Sequence, residues 1–246
     1  MNETRNRVLE AARKLGYAMP IVDGRRAAGQ RRIGLLVDQL AAGPEAVAAI
    51  EGACEALRAN NDLVLIAQSF NDVELEGELV QSLVNYGISV LVYMTSWTRE
   101  VDPAPALQAL EMPLILLNCY TSGQNHPSVV PSEIAGGQRA TRHLIEHGHR
   151  RIGTITGEMW MEAARDRLKG YRRALATADI PFDATLVWEG DWSASAGYEG
   201  TRKLLALHEP PTAIFCQNDR IAIGCYEALK EAGLDIPTDM SVVGYD

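Results

Sequence analysis

Seven side chains stand where short apolar runs end, and their types suit the gripping of hydroxyl groups. Asp38 follows RIGLLV, Asn118 closes PLILLN, Asn218 comes just past TAIFC and Asp246 follows SVVGY. Phe70 lies two residues beyond LVLIAQ, Trp192 two beyond TLVWEG, and Arg167 sits in the segment after RIGTIT and its Gly157 turn. Carboxylate, amide and guanidinium groups each hydrogen-bond in pairs, as vicinal hydroxyls require. An indole or phenyl face covers the C–H face of a sugar ring. Together they suit a small polyhydroxy ligand held in a cleft. Each residue also has a plainer local role. Trp192 can pack over its own lobe, Asn218 can cap a helix, and Arg167 can be solvated like Arg165, Arg172 and Arg173. Asp38 and Asn118 can be turn residues.

Catalytic chemistry is not indicated. The chain has no phosphate loop of the G-x-x-x-x-G-K-[ST] type, no G-x-S-x-G elbow and no zinc spacing. His143, His147 and His149 gather near one expected helix end without a carboxylate pair or a cysteine at ligand spacing, so they read as surface or capping residues. Cys54, Cys119, Cys216 and Cys225 are scattered, with no CxxC pair, and read as reduced core residues of a cytoplasmic protein. No enzyme activity, metal or cofactor is expected. No run approaches the roughly 18 apolar residues of a membrane span. The start, MNETRNRVLE, lacks the apolar centre of an export signal.

The elements that would carry these residues alternate. RIGLLV (32–37), LVLIAQ (63–68), ISVLVYM (88–94) and PLILLN (113–118) have the near-continuous apolar character of strands buried on both faces. Between them Val47, Ile50, Cys54 and Leu57, then Leu79, Leu83 and Val84, keep helical spacing. The rhythm returns with strands RIGTIT (151–156), TLVWEG (185–190), TAIFC (212–216) and SVVGY (241–245), and helices within 160–178, 195–207 and 218–233. RRIGLLV at 31–37 is echoed by RRIGTIT at 150–156. The expectation is an α/β chain of two doubly wound parallel-sheet lobes, 32–131 and 132–246, joined by the polar connector at 119–131. Ligands of such sheets bind beyond the carboxyl ends of the strands, where the seven residues stand.

The first 32 residues differ from the body. They hold eight basic and three acidic residues, against 15 basic and 29 acidic in the remainder. TRNRVLEAARKLGY reads as one amphipathic helix, with Gly16 as a C-cap signal and Pro20 beyond it. A basic arm on an acidic body suits contact with a polyanion through the arm alone, and a solvated basic tail is the plainer reading.

ETRNRVLEAARKLGYAMP resembles the third helix of the DNA-binding headpiece of lactose-repressor-type (LacI/GalR) transcription regulators. RRIGLLV, HLIEHGHRRIG (143–153), RLKGYRRAL (167–175), EGDWSASAGYEG (189–200), FCQNDRIAIGCYEAL (215–229) and GLDIPTDMSVVGYD (233–246) resemble further blocks of that family, in its order. The resemblance implies a fold like type I periplasmic binding proteins, usually dimeric, closing on a sugar or similar effector and controlling operator DNA. A stand-alone periplasmic-type sugar receptor is the alternative. By position it assigns effector contacts to Arg167, Asn218 and Asp246, sugar stacking to Trp192, and to Asn118 a place where members often carry Asp. Thr4 and Arg5 would meet phosphates, which position a protein on DNA without reading bases. The departures are informative. Residues 1–19 correspond to only the last part of a helix-turn-helix headpiece, so the recognition helix is expected to be lacking. The linker at 20–31 has Gly24, Ala27 and Ala28 where a leucine-bearing hinge helix is expected. QLAAGPEA (39–46) replaces an Asn-Pro-aromatic turn, removing an aromatic from the cleft. The second lobe is expected to be incomplete at Asp246.

Overall fold

The structure, a computed structural model, describes residues 30–40, 44–102, 105–123 and 125–245. The expected headpiece helix and most of the linker lie outside these residues. The first lobe runs β1 (Arg32–Val37), α1 (Pro44–Ala59), β2 (Leu63–Gln68), α2 (Val73–Asn85), β3 (Val90–Glu100), α3 (Pro105–Gln108), β4 (Leu114–Tyr120) and β5 (Ser128–Val129). The second runs α4 (Glu133–Glu146), β6 (Ile152–Thr156), α5 (Glu162–Thr177), a 3-10 turn (Ala184–Leu186), β7 (Val187–Glu189), α6 (Ala194–Leu205), β8 (Ala213–Cys216), α7 (Asp219–Glu231) and β9 (Ser241–Val243).

Both sheets are parallel, ordered β2-β1-β3-β4-β5 and β7-β6-β8-β9. The order reverses beside β1 and beside β6, which is what doubly wound sheets do. Alternate side chains of one strand enter different cores. Leu36 of β1 packs with Val80, Leu83 and Leu91, while Leu35 and Val37 pack with Ile50 and Met94. In β8, Phe215 joins Leu168 and Tyr171 on one face, and Ile214 and Cys216 join Ile221 and Leu229 on the other. Helix cover on both faces explains why these strands lack a polar alternation.

Expected and observed strand ends differ, most of all in two strands. TLVWEG pairs only over 187–189, because Asp183 accepts from the Thr185 amide and winds residues 184–186 into a 3-10 turn. ISVLVYM does not stop at Met94. It pairs to Glu100, with a register shift in which residues 95–98 face the single residue Asn118.

Glycines set the helix packing that matters for the second lobe. A Cβ on Gly137 of α4 would fall 2.3 Å from the Arg167 carbonyl oxygen, and one on Gly170 of α5 would fall 2.2 Å from that of Ile134. The two backbones therefore touch, and Glu133 at the start of α4 comes within reach of Arg167 on α5.

Candidate functional site

The second lobe gathers three of the sequence-selected residues. Arg167 is 7% exposed, so the solvated reading does not hold. Its Nε and one terminal nitrogen donate to Glu133 at 2.7 and 3.0 Å, and its other terminal nitrogen donates to the Gln217 carbonyl. A buried arginine is tolerable only with such partners. The guanidinium carbon lies 4.1 Å from the Tyr245 ring centre and 5.4 Å from that of Trp192. The charge is thus fixed between two aromatic faces.

Trp192 owes its position to the loop EGDWSAS. Gly190 donates to the Thr156 carbonyl, Asp191 accepts from the Ser193 amide, and Ser193 caps α6 by accepting from Ala196. These bonds hold Trp192 at φ 66°, a left-handed conformation that costs a non-glycine residue roughly 1–2 kcal/mol. The indole lies against Gly157, where a Cβ would come 1.8 Å from a ring carbon. Its Nε1 donates to the Met161 sulfur at 2.9 Å. Trp192 is half-buried and touches the core of its own lobe, so local packing and ligand contact are not exclusive.

Asn218 does cap α7, its Oδ1 accepting from the Ile221 amide at 2.7 Å, while its Nδ2 donates to the Trp192 carbonyl at 3.1 Å. One amide therefore ties the helix start to the tryptophan loop. Beside it the Gln217 side chain is fully buried, and neither its amide nitrogen nor its oxygen has a partner among the described residues. Asp246, Thr4 and Arg5 lie outside the described residues.

In the first lobe Asp38 and Asn118 converge on the excursion 95–98, which sequence reasoning did not single out. Asp38 is buried, and its Oδ1 accepts from the Gln39 amide and from the amide and hydroxyl of Ser96. Asn118, at φ 59°, accepts from the Thr98 hydroxyl at 2.6 Å and donates to the Thr95 carbonyl at 3.0 Å. Both predicted residues fasten this excursion, Asn118 from within β4 rather than from a turn. Phe70 is 64% exposed at φ 54° and adjoins Asn71, whose Oδ1 accepts from Arg99 at 3.3 Å. Arg99 also pairs with Asp38 at 3.2 Å and lies 4.4 Å over the Trp97 ring. A tryptophan and an arginine two apart, just past a strand, were the available signal for this wall.

The two lobes meet here. Trp97 meets Trp160 of the second lobe edge-to-face, with ring centres 6.4 Å apart. Tyr120, at the end of β4, donates to both Glu162 oxygens at 2.9 Å. Burial, then the bond to Glu162, push its phenol up to about 12. An open cavity of about 830 Å³ lies over the loops after β3 and β4, lined by Glu100, Asp102, Gln108, Thr121 and His126 among others. None of the sequence-selected residues lines it.

Among the described residues no three His, Cys, Asp or Glu side chains cluster as metal ligands. The four cysteines are free, and burial pushes the Cys119 thiol up to about 11. No helix among the described residues is long and apolar enough to cross a membrane.

Residues 141–246 match the periplasmic binding protein-like domain. The chain is 31% identical over 249 residues to the ribose operon repressor of Haemophilus influenzae, a match that takes in all of this chain and 73% of that protein. The chain belongs to the LacI/GalR family of transcription regulators. It is 36% identical over 157 residues to the transcriptional repressor PurR of Actinobacillus pleuropneumoniae, covering 64% of this chain but only 46% of that relative. A LacI-family regulator from Rhizobium etli superposes with a TM-score of 0.78 at 29% identity, over 87% of this chain and 78% of the other. The two doubly wound lobes are thus the periplasmic-binding-protein-like core of this LacI-type chain.

Proposed function

We propose that the chain is the effector-binding core of a cytoplasmic LacI-type repressor, that the cleft between its lobes takes a small sugar-like effector, and that closure of the lobes controls operator binding. The observation that carries this reading is Arg167, held by Glu133 between Trp192 and Tyr245 and next to Asn218. A guanidinium fixed in this way is pre-organised, so a polar ligand that meets it adds little ordering cost. Trp192 and Asn218 supply the stacking face and an amide, and Asp246, Asn118, Asp38 and Phe70 are the further candidate contacts. The relatives' names as repressors speak against a free sugar receptor and against an enzyme. A homodimer would carry the paired linkers to operator DNA, with Thr4 and Arg5 as phosphate contacts. The effector can shift operator affinity only by its preference for one lobe arrangement over the other.

Calorimetric titration with ribose, glucose and galactose tests the reading, with Trp192→Ala as the control. Binding by a sugar that weakens about tenfold in the variant supports it, a loss near 1.4 kcal/mol. Saturable binding of a purine base with no response to any sugar would overturn it.

A further inference from the structure

We infer that Trp97, Trp160 and Trp192 form one aromatic strip across the cleft, and that its ligand carries two or more linked sugar rings. This rests on the reading of the cleft as a sugar site. Three of the chain's four tryptophans belong to the strip. Trp192 hangs from the second lobe and donates to the sulfur of Met161. Trp160, the neighbour of Met161, turns instead to the first lobe and meets Trp97 at 6.4 Å with planes 88° apart. Residues 160–161 thus link the two contacts, Met161 to Trp192 in the second lobe and Trp160 to Trp97 in the first. Each end carries an arginine, Arg99 over Trp97 at 4.4 Å and Arg167 near Trp192 at 5.4 Å.

Area decides the ligand class. One pyranose face is covered by one indole, and Trp192 already supplies it. Trp160 remains 63% exposed in spite of its contact with Trp97. Its backbone is held in place, since the Arg165 guanidinium donates to the carbonyls of Met159 and Trp160. A large apolar face kept open and held in a set position is a contact surface. Both arginines have carboxylate partners, Arg99 with Asp38 and Arg167 with Glu133, so the strip offers no unmatched positive charge to an acidic sugar. A second neutral ring, lying on the open face of Trp160, fits both facts.

The test is calorimetric titration of the full chain with cellobiose, maltose and lactose, beside glucose and galactose. A disaccharide is expected to bind at least about tenfold more tightly than its monosaccharides. Trp160→Ala is expected to remove about that factor from disaccharide binding and to leave monosaccharide binding unchanged. Trp160 is exposed, so the variant should fold, and its circular dichroism and melting temperature check this. Equal affinity for one ring and two, or a Trp160→Ala variant with unaltered disaccharide affinity, would overturn the inference while the sugar-site reading stands. A wild-type chain that binds none of the five sugars would overturn both.

Discussion

Adding one methyl group at Gly157 should expose how tightly the Trp192 loop is built. A Cβ there would sit 1.8, 2.1 and 2.2 Å from three atoms of the indole. No rotation of the new methyl avoids this, because Cβ has no torsion of its own. The ring must leave its place or the Gly157 turn must shift. Either loses the Nε1 bond to Met161 and the contact of the ring with the core beneath it. Overpacking of this kind costs about 1–3 kcal/mol. The control is the same substitution without the ring. Gly157 has no positive φ, so alanine itself suits that backbone, and in a Trp192→Ala background Gly157→Ala should change stability by less than about 0.5 kcal/mol. Urea unfolding followed by circular dichroism measures all four proteins, avoiding a fluorescence signal that the variants themselves alter. The expected result is a coupling of at least about 1 kcal/mol between the two positions. If Gly157→Ala costs the same with and without the tryptophan, the ring does not depend on that contact, and the account of the loop is wrong.

Other outcomes follow from single contacts. Arg167→Met alone should cost about 3–5 kcal/mol in urea unfolding by stranding Glu133, and most of that should return in the Arg167→Met, Glu133→Leu double variant. Loss of ligand binding by an Arg167 variant must therefore be read against its stability. Asn118→Gly should unfold at higher urea than Asn118→Ala, because both lose the bonds to Thr95 and Thr98 but only alanine also resists φ 59°. Burial raises the Glu76 carboxyl above its ordinary range, against the hydrogen bond from Tyr93. Its stabilising contribution is then full below the ordinary carboxylate range and is lost as pH rises through the raised value. Glu76→Gln should accordingly raise the melting temperature at pH 8 and have no such effect at pH 4.

The alternation of apolar runs with helical spacing located the two sheets, because burial on both faces leaves a strong trace in composition, but it misplaced the ends of β3, β4 and β9. Arg167, Trp192 and Asn218, chosen by position alone, come together in the second lobe. The excursion at 95–98 was not legible, because a strand that departs from its neighbour and rejoins it carries no periodicity. Its fastening by Asp38 and Asn118 is a long-range fact. The Glu133 partner of Arg167 was equally hidden, since it depends on two helices touching at Gly137 and Gly170. For Phe70, Asn118 and Trp192 the sequence named the residue but not its left-handed backbone. Such conformations in non-glycine residues persist where surrounding bonds impose them, and here they recur at the strand ends.

The glycine contacts also bear on how the second lobe can respond. Gly224 and Gly197 bring α7 and α6 together as closely as Gly137 and Gly170 bring α4 and α5, with a Cβ on Gly224 falling 1.8 Å from the Ala194 carbonyl. Helices in backbone contact cannot slide without collision, so this wall resists reshaping. A molecule that fits it badly is turned away rather than accommodated. On the proposed reading of the cleft, selectivity then belongs to the second lobe.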